Sequence, residues 1–295
     1  MIITKLDGQL GNQMFAYAAG YALSRDVNEP LSVFRFEYDT VAADIGFQLG
    51  YLKLDKVNYF RGIPISLYWH TIMRAVNRFS NRLIHNHIFK IKPYRDKNVD
   101  ILKELVLEYH EICIDRSKQS HLLTGFRQSP LYFDKYRADI LRQFVPNYKQ
   151  TNSVREWIRL INDTPYSVSL HIRRGDYVKA GLCIGLDYYY EAVSRVLLEH
   201  PDAVFFVFSD NIQWVKDNLK IDWNKAKCVE HSSKIRPFDD IWLMSKCKSN
   251  IIANSSFSWW GAYLNQNVNK KVYAPIQILK NNKDIMCPDW VLVDK

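Results

Sequence analysis

Two adjacent arginines, Arg173 and Arg174, lie within the sequence His-Ile-Arg-Arg-Gly-Asp-Tyr at positions 171–177. Residues 166–172 alternate apolar and polar side chains, which predicts a half-buried strand that ends at the arginines. Ligands of open α/β sheets bind beyond the carboxyl ends of the strands. Because guanidinium groups stay charged at neutral pH and present paired N–H donors, they match phosphate oxygens. The motif therefore predicts a diphosphate held between the two arginines, and the alternative is a solvated charged turn.

Two further predicted strands also end in polar residues. Ser209 and Asp210 follow one of them, and residues 254–258 (Asn-Ser-Ser-Phe-Ser) follow another. The right-handed crossovers of a parallel sheet bring these loops to the same edge as Arg173. Hydroxyls and free N–H groups at the start of a helix suit phosphate oxygens, and a carboxylate suits a base or a ribose. Taken singly, both segments are ordinary helix caps; taken together, they favour a nucleotide pocket.

The amino-terminal residues carry a weaker pattern of the same kind. A strand predicted over residues 1–6 leads into a loop with Gly8 and Gly11, and a helix is predicted from Asn12, as its N-cap, to Leu23. Main-chain N–H groups at such a junction can bind a phosphate or sugar oxygen. The two glycines do not complete the glycine spacing of dinucleotide-binding folds.

The elements that must position these residues alternate regularly in the second half of the chain. Strands are predicted at 166–172, 203–208, 227–229, 250–253 and 271–274, with helices between them. Repeated β-α units of this length predict a doubly wound parallel sheet. The 295 residues suffice for two domains, and we place the boundary near Pro165, with domains at 1–160 and 161–295.

Metal sites and disulfides are not expected. The five cysteines are odd in number, scattered and never spaced as Cys-x-x-Cys, which favours free thiols in a reducing compartment. No Asp-x-Asp triplet occurs, so the chain lacks the usual metal clamp for a diphosphate. The amino terminus has no signal-peptide pattern, and no apolar run is long enough to span a bilayer. The sequence therefore predicts a cytoplasmic protein.

The net charge of +9 is concentrated in one segment. Residues 56–95 hold eight Lys and Arg and no Asp or Glu, which leaves +1 for the rest of the chain. Within that segment, residues 67–89 predict an amphipathic helix with Arg74, Arg78 and Arg82 on one face. Such a helix can lie on an anionic membrane, but it can equally pack on its own domain. Aromatic residues between the cations leave single-stranded nucleic acid as a further alternative.

Four segments, taken in order, resemble the motifs of α-1,2-fucosyltransferases, most closely those of bacterial members that decorate O-antigen and related surface glycans. They are residues 8–15 (Gly-Gln-Leu-Gly-Asn-Gln-Met-Phe), 171–177, 208–210 (Phe-Ser-Asp) and 254–262 (Asn-Ser-Ser-Phe-Ser-Trp-Trp-Gly-Ala). The resemblance implies a GT-B-like α/β fold in which two Rossmann-like domains face a cleft. It also implies GDP-β-L-fucose as the donor, inversion at the transferred carbon, and neither a metal nor another cofactor.

The resemblance also implies roles for individual residues. Arg173 and Arg174 would hold the diphosphate, and Asp176 would complete the catalytic set. The donor would further contact His171, Ser209, Asp210, Asn254, Ser255, Ser256, Phe257 and Ser258. Gly11, Asn12 and Gln13 would line the cleft from the amino-terminal domain, residues 1–160, which would be the acceptor side. Residues 161–295 would form the domain that binds GDP-fucose.

Two positions depart from the family pattern. Asn211 stands where the family commonly has a second aspartate, so that position carries no charge. The loop from Tyr177 to Asp187 is short and lacks the His-Gly pair of several bacterial relatives. Because this loop is expected to border the acceptor, the departure leaves acceptor choice open.

The expected reaction is transfer of L-fucose from GDP-β-L-fucose to a 2-hydroxyl group, that of a galactose residue in a lipid-linked oligosaccharide. The expected location is the cytoplasm, with peripheral contact at the inner face of the membrane. Asp176 and His171 are both candidates for the base, and a dissociative reaction needs no strong base. The alternatives are another sugar nucleotide or linkage on the same fold, and a basic nucleic-acid-binding protein.

Overall fold

The computed structural model describes most of the chain. The described residues are 1–34, 46–55, 57–59, 99–104, 106–231, 236–280 and 282–294. The predicted amphipathic helix at 67–89 lies outside them, as does nearly all of the basic segment 56–95. Its membrane and nucleic-acid interpretations therefore stay predictions. None of the described helices is long and apolar enough to cross a bilayer.

The first half of the chain forms a parallel sheet. Its strands are β1 (Ile2–Lys5), β2 (Leu31–Phe34), β3 (Asn58–Tyr59), β4 (Val99–Lys103) and β5 (Ser120–Thr124), in the order β3-β2-β1-β5-β4. Every pairing in this sheet is parallel. Helix α1 (Leu10–Asp26) connects β1 to β2 and packs on β1 so closely that a Cβ on Gly20 would lie 2.8 Å from Thr4 Cβ.

The second half forms a larger parallel sheet, which confirms the predicted α/β fold class. Its strands are β6 (Ser167–Ile172), β7 (Val204–Ser209), β8 (Ala226–Cys228), β9 (Ser249–Ile251), β10 (Val272–Pro275) and β11 (Val291–Val293), in the order β11-β10-β9-β6-β7-β8. Two helices precede this sheet, α2 (Arg137–Gln143) and α3 (Asn152–Asp163). The others are α4 (Gly175–Ala180), α5 (Leu186–Glu199), α6 (Ile212–Asn218), α7 (Pro237–Met244) and α8 (Ser256–Tyr263).

The second sheet contains a point where the direction of winding reverses. It falls between β6 and β9, because β6, β7 and β8 follow one another towards one side of the sheet, whereas β9, β10 and β11 follow one another towards the other. At such a point the loops leave neighbouring strands in opposite directions and open a crevice at the carboxyl ends, where α/β proteins bind ligands. The loops after β6 and β9 are therefore the ones expected to build a site.

An aromatic cluster joins the two halves. Phe15 of α1 packs against Trp259 and Trp260 of α8, with ring centroids 4.5 and 4.9 Å apart. Phe133 stacks on Trp260 at 5.5 Å, and all four rings are fully buried. Trp260 Nε1 also donates a hydrogen bond of 2.9 Å to the carbonyl of Gly11. The two sheets thus share one continuous core on this side of the molecule.

Several local expectations were wrong. All six residues of β6 are buried, not every second one, because this central strand is covered on both faces. Helix α1 begins at Leu10 and has Gln9 as its N-cap, so Asn12 lies in its first turn. Helix α4 and strand β11 were not anticipated. The predicted domain boundary at 160/161 falls within α3 and stays a prediction.

Candidate active site

A cleft of about 410 Å³ lies between loops of the first sheet and the loops at the reversal point of the second sheet. The loop after β1 contributes Gln9 and Asn12, and the loop after β5 contributes Gln128. From the second sheet come Arg173 after β6 and residues 254–257 after β9. Segments that meet here are far apart in the sequence, so the cleft exists only in the folded chain. Among its described lining residues, only Arg173 and Asp176 carry a charge.

Arg173 is held in the cleft by three side chains. Its Nη1 lies 2.9 Å from Asp210 Oδ2, and its Nη2 donates to Asp176 Oδ1 over 2.7 Å. Nη2 also lies 3.4 Å from Gln9 Oε1, which links Arg173 to the opposite sheet. The side chain is 17% exposed, so its charge is partly screened from water yet reaches the cleft. A guanidinium fixed in this way is an anion-binding group with little freedom left to lose.

Asp210 contacts Arg173 from outside the cleft and is absent from the described lining residues. Its Oδ1 accepts hydrogen bonds from the main-chain N–H groups of Arg174 (2.8 Å) and Gly175 (3.1 Å). A carboxylate is favourable at the first N–H groups of α4 because they have no partner within the helix. Asp210 therefore fixes both the turn that carries Arg173 and the guanidinium itself. Ser209, beside it, accepts from the N–H of Asn211.

Arg174 points elsewhere. Its guanidinium carbon lies 3.6 Å from the centroid of the Trp214 ring on α6, a stacked cation–π contact. Arg174 does not line the cleft. The two arginines, which the sequence treats alike, are thus separated by the fold: one reaches the cleft and the other packs on a neighbouring helix.

Asp176 and Tyr177 form the exposed lip of the same wall. The Asp176 side chain is 59% exposed and retains a second carboxylate oxygen beyond the one bonded to Arg173. The Tyr177 hydroxyl donates to the carbonyl of Asn254 over 3.3 Å, and burial raises the pKa of this phenol. Arg173 lies 5.5 Å from the Tyr177 ring centroid. Tyr177 thereby ties the loop after β6 to the loop after β9.

The loop after β9 presents polar groups at the start of α8. Ser255 is the N-cap, and its Oγ accepts from the N–H of Phe257. Asn254 Nδ2 donates to the carbonyl of Leu182, whereas its buried Oδ1 has no partner among the described residues. The Ser256 hydroxyl donates to Asn12 Oδ1 over 2.8 Å. Ser258 lies below the surface, where its hydroxyl accepts from the N–H of Ala253 and closes the turn.

His171 is buried beneath this loop. It is 3% exposed, and its ring centroid lies 5.7 Å from that of Phe257, which lines the cleft. Burial, with the charge of Arg173 as a smaller cause, lowers the pKa of His171 to about 3, so the imidazole is neutral. Nδ1 has no partner within the described structure, and His171 is not a lining residue. Its position does not offer a base to a substrate in the cleft.

The amino-terminal wall rests on close contacts. A Cβ on Gly11 would lie 2.6 Å from Ser256 Oγ and 2.9 Å from Phe257 N, so only glycine lets α1 approach α8 here. Gly8, at φ +67°, turns the chain into α1. Gln13 is fully buried beneath the loop, where it donates to the carbonyl oxygens of Gly8 and Gly46. It supports the wall and is absent from the described lining residues.

The sequence did not identify several lining residues. They are Gln9, Leu107, Gln128, Tyr177, Leu182, Gln277, Ile278, Asn282 and Ile285. Gln128 could have been found from its position, because residues 125–129 directly follow strand β5 of the first sheet. Arg173 and Arg174 follow strand β6 of the second sheet in the same way. The weak periodicity of residues 35–150 concealed that strand. Within the described residues, no group of three His, Cys, Asp or Glu side chains is placed to hold a metal ion.

Two parallel α/β sheets that face each other across a cleft are the architecture of GT-B-type glycosyltransferases. The chain belongs to glycosyl transferase family 11, whose model matches residues 63–294. This confirms the resemblance found in the sequence.

Two bacterial relatives match the chain over its whole length. An alpha-1,2-colitosyltransferase of Escherichia coli is 32% identical over 100% of this chain and 99% of its own. The O-antigen biosynthesis glycosyltransferase WbnK, also from Escherichia coli, is 32% identical over 97% of this chain and 98% of its own. The galactoside 2-alpha-L-fucosyltransferase Sec1 of Mus musculus is 24% identical over 90% and 64%, respectively.

Solved structures show the same fold at low sequence identity. A variant of Arabidopsis thaliana FUT1 in complex with GDP matches with a TM-score of 0.53 at 12% identity, covering 92% of this chain and 69% of the other. NodZ alpha-1,6-fucosyltransferase co-crystallized with GDP matches with a TM-score of 0.51 at 12% identity, covering 88% and 90%. The expected GT-B-type architecture is therefore confirmed.

Proposed function

We propose that this glycosyltransferase moves L-fucose from GDP-β-L-fucose to the 2-hydroxyl of a galactose residue in a surface glycan, with inversion and without a metal. The observation that carries the proposal is the position of Arg173, held by two carboxylates at the carboxyl edge of β6 and facing the cleft. Family membership supports glycosyl transfer, and the solved relatives bound to GDP support a guanosine diphosphate donor.

The chemistry follows from where charge develops. As the bond between fucose C1 and the β-phosphate oxygen breaks, its electron pair goes to the phosphate while the sugar gains positive charge. Arg173 can donate hydrogen bonds to that oxygen, and it stabilises the transition state more than the ground state because the charge on the oxygen grows. The acceptor oxygen attacks C1 from the opposite face, which converts the β-linked donor into an α-linked product.

The attacking hydroxyl must also lose its proton. The two candidates for this base are the carboxylate of Asp176 and the imidazole of His171. Asp176 is the better placed, because its free oxygen lies at the exposed edge of the cleft beside Arg173. His171 lies beneath Phe257 and is excluded from the described cleft surface. We assign Asp176 as the proton acceptor on this ground.

A second donor is favoured by a specific observation. One relative, 32% identical over the full length of the chain, is an alpha-1,2-colitosyltransferase. Colitose is fucose without its 3-hydroxyl, so a GDP-linked colitose would place the same diphosphate beside Arg173. The alternative is therefore colitosyl transfer to the same 2-hydroxyl position.

One assay distinguishes between the two donors. The purified chain is incubated with GDP-fucose or GDP-colitose, a panel of galactosides and EDTA, and the product linkage is determined by NMR. We expect α-1,2-fucosylated galactoside at an undiminished rate in EDTA. Products from GDP-colitose alone would establish the second donor, and loss of activity in EDTA would refute metal-independent transfer. The absence of both transfer and GDP-fucose binding would refute the proposed function.

We also propose that the acceptor is lipid-linked and that the enzyme works at the cytoplasmic face of the membrane. Support comes from the basic composition of residues 56–95 and from the O-antigen role in the name of one relative. Co-sedimentation with vesicles of phosphatidylglycerol, but not of phosphatidylcholine, is the expected result. Equal recovery with both would refute the electrostatic contact.

A further inference from the structure

Gln128 lies in a loop whose conformation is fixed before any ligand arrives. The loop follows β5 and turns through Gly125 at φ +102° and Arg127 at φ +52°, the latter unusual for a residue with a side chain. The Glu104 carboxylate accepts from the N–H groups of Phe126 (2.7 Å) and Arg127 (2.8 Å) and holds the turn. A non-glycine residue keeps such a backbone only where its surroundings enforce it.

The Arg127 side chain supplies the second constraint. It is 1% exposed, and its guanidinium donates to the carbonyl of Leu102 over 2.9 Å and lies 2.8 Å from His110 Nε2. Arg127 therefore anchors the loop inside the first domain. Its neighbour Gln128 is left to face the cleft, which it lines.

The orientation of the Gln128 amide is set by Asn12. Asn12 Oδ1 accepts two hydrogen bonds of 2.8 Å, one from Gln128 Nε2 and one from the Ser256 hydroxyl. Once Nε2 points at Asn12, Oε1 must point away from it. This oxygen has no partner among the described residues, and it is not among their buried unpaired atoms. A fixed hydrogen-bond acceptor is thus presented to the cleft.

The surroundings of Gln128 indicate what it can bind. Three uncharged carboxamides from loops of the first sheet, which we call the amide wall, line this part of the cleft: Gln9, Asn12 and Gln128. Asn282, which follows β10 of the second sheet, also lines the cleft, and its Nδ2 donates to the Gln128 carbonyl over 2.6 Å. The charged lining residues of the described chain, Arg173 and Asp176, belong to the other sheet. Carboxamides offer both donors and acceptors and suit neutral hydroxyl groups better than phosphates.

We infer that Gln128 is an acceptor-binding residue: its Oε1 accepts a hydrogen bond from a hydroxyl of an uncharged acceptor sugar seated on the amide wall. The inference rests on the proposed function, because it assigns the other side of the same cleft to the second substrate. The diphosphate is drawn to Arg173, and the sugar that receives the fucose lies against Gln128. Binding on the two walls brings the hydroxyl and the donor carbon together.

The test compares Gln128→Leu, Gln128→Glu and Gln266→Leu, the last a matched change at an exposed glutamine outside the cleft. Lactose is the acceptor probe, and the readouts are its KM, the KM of GDP-fucose, and the slow hydrolysis of GDP-fucose without acceptor. Loss of one neutral hydrogen bond should raise the lactose KM of Gln128→Leu about tenfold. The KM of GDP-fucose and the rate of its hydrolysis should change far less than the lactose KM, and the Tm should fall slightly because leucine also gives up the hydrogen bond to Asn12.

Gln128→Glu tests the atom itself. Glutamate keeps an oxygen at the same place, and the Asn12 amide can turn to donate to it. We therefore expect Gln128→Glu to raise the lactose KM less than Gln128→Leu does. If Gln128→Leu does not fold, the lactose KM of Gln128→Glu is the measurement that tests the inference. Gln266→Leu should match the wild-type protein in every readout.

Two results would overturn the inference while leaving the proposed function intact. One is an active Gln128→Leu enzyme whose lactose KM lies within twofold of wild type. The other is a rise confined to the KM of GDP-fucose, which would place Gln128 on the donor. A wild-type protein that neither transfers fucose nor hydrolyses GDP-fucose would instead refute the proposed function, and this inference with it.

Discussion

Although Arg173 and Arg174 are adjacent, their replacement by alanine should affect different properties. Arg173→Ala should lower the catalytic rate, and Arg174→Ala should lower the stability of the fold. Arg173 lines the cleft and is bonded to Asp176 and Asp210, whereas Arg174 stacks on Trp214. A preorganised donor to a developing oxyanion is typically worth ~3–4 kcal/mol of transition-state stabilisation, or roughly a hundred- to a thousandfold in rate. We therefore expect Arg173→Ala to lower kcat by that factor.

The effect of Arg174→Ala should be on stability. A cation–π pair that is partly shielded from water contributes about 1 kcal/mol. At a chain length of 295 residues this corresponds to a fall in Tm of only about 2 °C. We expect kcat to change less than tenfold. Arg173→Lys separates charge from geometry, because lysine keeps the charge but cannot bond to Asp176 and Asp210 as a planar fork does.

The assay is release of GDP from GDP-fucose in the presence of lactose, followed under saturating conditions, together with the Tm of each variant. The reasoning fails if Arg174→Ala loses a hundredfold in kcat while its Tm stays that of the wild-type protein. It also fails if Arg173→Ala retains more than a tenth of the activity. Either result would mean that Arg174 leaves Trp214 and meets the phosphate.

Three further predictions concern the supports of the site. Gly11→Ala should destabilise the fold by about 1–3 kcal/mol, as measured by urea unfolding, because the new Cβ would lie 2.8 Å from the carbonyl carbon of Ser256. Gly185→Ala is the control and should be tolerated, because a Cβ at Gly185 would meet no atom within 4 Å. Asp210→Asn should lower kcat about tenfold by releasing Arg173, with GDP release as the readout; unchanged kcat would contradict this positioning role. His171 has a pKa of about 3 against an ordinary 6.5, so protons bind the unfolded chain first as the pH falls. The free energy of unfolding should therefore fall as the pH is lowered from 6.5 to 3, and it should fall less steeply in His171→Gln. Urea unfolding at a series of pH values measures both slopes, and equal slopes for the two proteins would refute the prediction.

The sequence was sufficient to predict the second sheet because its strands and helices alternate at regular spacing. It misjudged the burial of β6 for a physical reason. Ser169 and His171 read as polar, solvent-facing positions, yet both are buried. The Ser169 hydroxyl accepts from Asn250 Nδ2 over 2.7 Å, so a neighbouring strand satisfies it. Alternation in sequence shows which side chains share a face, but not whether that face meets water.

The site was predictable by residue type and only partly by position. Proximity at a strand end identified Arg173, Asp176 and residues 254–257 as neighbours. Nothing local distinguishes Arg173 from Arg174, because the distinction depends on Trp214, forty positions away, and on Asp210. These long-range contacts are fixed by the pairing of β7 with β6 and by the packing of α6 on β7, which periodicity does not encode.

The cleft divides its chemistry between the two sheets. The wall from the second sheet holds a guanidinium that two carboxylates from different loops have already oriented, so its ordering is completed during folding rather than when the donor binds. The amide wall from the first sheet holds neutral groups fixed by Asn12 and Arg127. Since Gly11 brings α1 into direct contact with α8, the walls cannot separate there without breaking the shared aromatic core. A charged donor and a neutral acceptor can thus be sorted to opposite sides of a single preformed cleft by polarity alone.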